Sequence, residues 1–129
     1  MLSRRQACAT LISAGIVAGG LGKAHGQTRG EFQGRSNHVT TGGVTVQKLD
    51  DGRTLIRLGA DFSLDGAPDP VVGLGHQGRY DARTQAGPLR SLTGAQDYIL
   101  PANVRSEAYG EVYIWCEQFS VPLGVAQVN

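Results

Sequence analysis

No window of this chain carries apolar residues at three-and-four spacing over a helical length. What recurs is a short alternating run, closed roughly every ten residues by glycine, proline or aspartate. A chain built this way can bury an apolar face only by pairing strands. Residues 44–49 read as one strand, Asp50-Asp51-Gly52-Arg53 as a turn, and Thr54–Leu58 as the returning strand of a hairpin. Aspartate and glycine supply that turn because both tolerate positive φ. In Asp65-Gly66-Ala67-Pro68-Asp69-Pro70 the two prolines lack a ladder donor and break regular structure. Beyond it, residues 71–74 predict a short strand, and the polar residues 75–88 a long surface loop. Residues 89–92, 97–100, 111–118 and 121–128 predict the remaining strands. The expected fold is all-β, a single-domain antiparallel sandwich or barrel of about seven to eight short strands.

Residues 1–26 read as a cleavable export signal and stand apart from that fold. Ser3-Arg4-Arg5-Gln6 is a twin-arginine start, followed by an uncharged, proline-free stretch to Leu21. The stretch is too short and too weakly apolar to span a bilayer. Lys23 interrupts it, and Ala24-His25-Gly26 offers small residues to a signal peptidase, so cleavage is expected after Gly26. The arginine pair and low hydrophobicity favour the twin-arginine route. Ala7, Cys8 and Ala9, standing where that route usually shows Phe, Leu and Lys, favour the general secretory one. Either way the expected location is periplasmic or secreted, with no membrane span left after cleavage. The mature domain is residues 27–129, a length that supports one modest core.

Three of the 12 Lys and Arg residues leave with the signal, so 9 basic residues face 11 acidic ones. The remaining arginines are scattered among aspartates, without the clustered positive charge that phosphate neutralisation requires, and nucleic acid is not an expected partner. There is no Gly-x-Ser-x-Gly elbow, no His-Glu-x-x-His pair and no phosphate loop, so no hydrolase or transferase constellation is visible. No four-ligand zinc spacing occurs, and Asp61, Asp65 and Asp69 do not follow the EF-hand pattern. Aspartates in such a loop serve as turn caps.

Cys116 is the feature on which function turns. Cys8 lies in the signal, so Cys116 is the one thiol of the mature domain and has no internal disulfide partner. In residues 111–118 the alternation puts Val112, Ile114 and Cys116 on one face and Tyr113, Trp115 and Glu117 on the other. Cys116 therefore points inward with the aliphatics. Past it the apolar pattern resumes on the opposite parity at Phe119, Val121 and Leu123, which predicts a bulge or turn at residues 117–120. A free cysteine so placed is an inert core residue, a reactive thiol, a ligand or half of an intermolecular bridge.

From Gly34 onward the chain resembles the DM-thirteen electron-transfer domain, a small exported all-β module. The resemblance rests on His38 with Gly42-Gly43-Val44-Thr45-Val46, on Leu58 with Asp61-Phe62, and on Asp65-Gly66-Ala67-Pro68-Asp69 ahead of Val72 and Leu74. It continues through Leu89, Leu92, Gly94, Gln96, Tyr98 and Leu100-Pro101, and ends on Val112, Ile114-Trp115-Cys116, Phe119, Val121, Gly124 and Ala126. The departures are Ala67, where the family usually joins Gly to Pro, and residues 75–88, which carry no family signature. The resemblance implies a redox role centred on Cys116, acting as a bare thiol or as a ligand to a prosthetic group such as haem, with an unidentified redox partner protein. A haem on Cys116 would need a second axial ligand. Met1, the only methionine, leaves with the signal, so His38 is the candidate and His76, in the polar loop, reads as solvated. The competing reading is a non-catalytic binding or adhesion β-module in which Cys116 is core and the loops at 65–70 and 75–88 make the contacts.

Overall fold

The computed structural model describes residues 27–129, and the expected signal segment lies outside them. The chain forms strands β1 (Gln27–Gly34), β2 (Thr40–Thr41), β3 (Gly43–Lys48), β4 (Thr54–Leu58), β5 (Ser63–Leu64), β6 (Pro70–His76), β7 (Arg79–Asp81), β8 (Gly87–Pro88), β9 (Gln96–Leu100), β10 (Glu111–Cys116) and β11 (Val121–Gln127). Two single 3-10 turns, Ala82–Thr84 and Ser106–Ala108, interrupt them. The principal sheet is antiparallel, in the order β9-β4-β3-β1-β11-β10-β6-β7, with β8 added to β6, and it curls into a half-barrel. β2 and β5 form a separate two-stranded ribbon.

The sheet is two hairpin systems joined by the first and last described strands. The β3–β4 hairpin turns as the sequence predicts: Gly52 has φ +92, its amide donates to the Leu49 carbonyl, and the Asp51 carboxylate accepts from the Arg53 amide. β9 then pairs with β4, and β6, β10 and β11 form the other half. β1 pairs β3 on one side and β11 on the other, so the seam between the halves is made by the first and last strands among the described residues. The concave face holds the core, with Ile56, Leu58, Val72, Leu100, Val112, Ile114, Leu123 and Ala126 fully buried and Phe32 set edge-on to Phe62 at 5.6 Å.

Three local expectations differ from the structure. β1 has a single large apolar residue, Phe32, and so gave no alternation signal; its backbone ladders on both flanks hold it instead. Residues 75–88 are not one loop. Gln77 and Gly78, with φ of +52 and +81, make a two-residue hairpin that returns as β7, after which Asp81 caps a 3-10 turn by accepting from the Arg83 amide. Residues 89–92 do not form a strand, and Leu92 is left exposed, although its carbonyl accepts from the Leu64 amide. The predicted irregularity after Cys116 resolves into two features. Residues 117–120 make a tight turn with Ser120 at φ +55, and the register slips between Ile114 and Trp115, where Leu123 is the extra residue between Gly124 and Pro122. Pro122, which has no N–H to give, sits at that bulge.

Candidate functional site

β10 carries Cys116 at its C-terminal end, paired with Pro70 of β6 and Val121 of β11. The inward parity is as the alternation predicts: Val112, Ile114 and Cys116 are buried in one core, and Cys116 is only 1% exposed. Its Sγ lies 3.1 Å from the Pro68 carbonyl oxygen, to which the thiol donates. That carbonyl belongs to the 65–70 loop, which crosses over the sulfur and is tied to the β10 end by the Glu117 amide donating to the Asp69 carbonyl at 3.0 Å.

His38 reaches the same loop from the other side. Its Nδ1 lies 2.9 Å from Asp65 Oδ1, and the Val39 amide donates to Asp65 Oδ2 at 2.9 Å. Asp65 returns the contact by donating its own amide to the Val39 carbonyl. The Val39 amide, ahead of the His38 ring, holds the Asp65 carboxyl below the usual carboxylate range. His38 and Cys116 are thus joined through one loop, as an anchor at its start and a covered group beneath its middle. No direct contact joins them. His76 is exposed, at the rim of a cleft of about 610 Å³ shared with Lys48, Tyr109 and Val128.

The arrangement does not fit a haem on Cys116. The sulfur is inside the packed core, and His38 is engaged by Asp65. Four clefts of the described surface are lined by other residues, one by Arg29, Arg57 and Asp61, the rest by residues of and beside the β6–β7 hairpin and the Ser106–Ala108 turn. Among the described residues no three His, Cys, Asp or Glu side chains gather as a cation site. What Cys116 offers is the chemistry of a covered thiol.

The opposite face of β10 is also buried, which the sequence reading did not foresee. Tyr113 is 2% exposed and Trp115 half-buried, and Tyr80 of β7 stacks on Trp115 with ring centroids 4.6 Å apart. Tyr113 stands edge-on to Trp115 at 6.4 Å and 5.7 Å from Tyr80. These rings lie over Gly73 and Gly75 of β6, where a Cβ would strike the Tyr80 and Tyr113 rings. At the end of the row the Glu111 carboxylate is 5% exposed. It accepts from the Tyr113 hydroxyl at 3.0 Å, from Gln127 Nε2 at 2.9 Å, and from the Gly78 amide at 3.1 Å to each oxygen. Burial first, and then the bond to Glu111, push the Tyr113 phenol up to about 12. The signal for this cluster is the unbroken run Val-Tyr-Ile-Trp-Cys, apolar on both parities, as in a strand covered on both faces.

The family model described as Electron transfer DM13 matches residues 31–128, spanning His38, the 65–70 loop, the aromatic row and Cys116. No curated protein and no solved structure matches the chain.

Proposed function

The chain belongs to the DM13 electron-transfer family, and from that premise we propose that its electron-transfer role is carried in an exported domain by the Cys116 thiol, covered by the 65–70 loop and uncovered when that loop lifts. The observation that supports this reading is the bond from Cys116 Sγ to the Pro68 carbonyl. The thiol's nearest polar partner is a loop backbone rather than a strand, and the loop is anchored at its start by the surface contact between Asp65 and His38. His38 is a positioning residue in this scheme, acting on the thiol only through Asp65. With the loop raised, a peroxide can oxidise the thiol: sulfur gives two electrons to the O–O bond, R–SH and H2O2 become R–SOH and H2O, one external thiol then condenses with the sulfenic acid to a mixed disulfide and water, and a second external thiol releases the Cys116 thiol as the two external sulfurs leave as a disulfide.

The test is trapping of the sulfenic acid with dimedone on the intact protein under dilute peroxide, read by mass spectrometry. Cys116 in the wild type is expected to label faster than the core amides of β10 exchange. In Asp65→Asn the labelling is expected to rise about tenfold, the worth of one hydrogen bond to a charged group. A second reading, a non-catalytic binding module with Cys116 as core, is favoured by its 1% exposure. That reading stands, and the thiol proposal falls, if Cys116 labels only at the rate of global unfolding and ignores Asp65→Asn.

The same anchor sets a pH dependence. Asp65 has a lowered native value, so its contribution is complete above the ordinary carboxylate value and is lost as pH falls through the native one. Exchange of the Val39 amide is therefore expected to show extra opening only below about pH 4. Asp65→Asn should show that opening at every pH, with no acid transition of its own.

A further inference from the structure

The buried carboxylate of Glu111 has no cation beside it among the described residues. All its contacts come from neutral donors, and an anion so placed is costly to bury. Arg35 is near enough to act on the Tyr113 phenol, yet it forms no ion pair with Glu111. Volume alone does not call for this carboxylate, although both its oxygens are used as acceptors and a glutamine of the same size would turn its NH2 toward one set of donors. At 3.0 Å from a phenol the carboxylate is also placed to accept its proton, which a glutamine cannot do.

The phenol is also the inner end of a contiguous aromatic row. Trp115 is the half-exposed member, Tyr80 stacks on it, and Tyr113 meets both at van der Waals range. Tryptophan and tyrosine are the side chains most readily oxidised by one electron, and this is the only tryptophan of the chain. We propose that Trp115, Tyr80 and Tyr113 form a one-electron relay whose inner station is the Tyr113–Glu111 pair. This rests on the reading of the domain as an electron-transfer module and does not require the thiol to be its redox group.

The step balances as follows. A one-electron oxidant at the surface takes an electron from the Trp115–Tyr80 stack, and Tyr113 refills that vacancy. As it does so, the Tyr113 O–H bond breaks, its proton passes to the Glu111 carboxylate, and a neutral tyrosyl radical remains beside a neutral carboxylic acid. A returning electron and the same proton restore the phenol and the carboxylate. No proton has to cross to solvent, so a phenol in a dry site can take part without leaving a buried charge of the wrong sign.

The experiment is laser flash-quench of the purified protein with photogenerated tris(bipyridyl)ruthenium(III) as the oxidant, following tryptophanyl and tyrosyl radicals by transient absorption. In wild type the Trp115 radical is expected to decay into a tyrosyl radical with a solvent deuterium isotope effect. Tyr113→Phe should leave the Trp115 radical long-lived, and Glu111→Gln should slow its conversion about hundredfold, as removal of a positioned base does. Equal decay of the Trp115 radical in wild type and Tyr113→Phe would overturn the relay, and Tyr113→Phe removes only the buried hydroxyl that bonds Glu111 while keeping the ring. Run in Cys116→Ser, the same measurement separates the two readings, because the relay signal survives there even when the dimedone experiment rejects the thiol.

Discussion

Gly75→Ala is expected to lower stability by about 3 kcal/mol, the upper range for overpacking a filled site, and to lower Tm by roughly 15–20 °C in a domain of this size. The cause is geometric. A Cβ at position 75 would stand 2.2 Å from Tyr113 Cε1 and 2.3 Å from the Arg79 carbonyl oxygen. A ring can tilt away from the first contact, but the second is backbone of the β6–β7 hairpin and is held by the pairing of Gly75 with Tyr80. Either β7 peels away or the strand shifts, and in both cases the Gly78 amide leaves Glu111. Thermal unfolding by circular dichroism gives the stability loss. A Tm within a few degrees of wild type would show that the sheet yields more easily here than the packing implies.

Phe62→Ala is expected to cost about 4 kcal/mol, within the range for removing a buried phenylalanine. Phe62 is 2% exposed and edge-on to Phe32 of β1, so its ring joins the residues leading into β5 to the seam strand. Its amide also donates to the Gly59 carbonyl, and the preceding Asp61 accepts from the Gly43 amide at 3.0 Å, so the backbone cannot slide to fill the void. Urea titration would read the loss as a lowered midpoint at unchanged slope. Against a domain stability of about 5–15 kcal/mol, the variant should be partly unfolded near physiological temperature.

The parts of the fold visible in the sequence are those in which one face is apolar and the other polar. Residues 44–49 and Thr54–Leu58 alternate and are closed by Asp-Gly, and their strands lie where the alternation puts them. β1 fails that test because Gly30 and Gly34 stand where other residues would carry apolar side chains. A Cβ there would meet the Gln127 and His38 carbonyls at 1.9 and 2.0 Å, so close backbone approach has replaced side-chain burial as the strand's signature. Residues 89–92 mislead in the opposite direction, offering two leucines of which one is exposed. At the site, parity alone sent Cys116 inward and Trp115 outward. It could not show that the 65–70 loop lies over the sulfur or joins it to His38, because those contacts cross 48 and 27 residues of chain. Nor could it reveal the Glu111–Tyr113 pair, since both residues appeared to lie on a solvent face until β7 and Tyr80 covered it.

The seam between β1 and β11 also bears on when the sheet can close. Each half has its own local hairpins, but β1 is without one of its two neighbours until Gly124, Val125 and Ala126 are available to pair with it. Contacts between segments about ninety residues apart carry a large loop-closure cost. The sheet is therefore expected to be completed only once residues 124–126 can pair with β1. Until then Phe32 and the aliphatic face of β10 wait uncovered, and the interval between synthesis and closure is when this chain depends most on being kept from its neighbours.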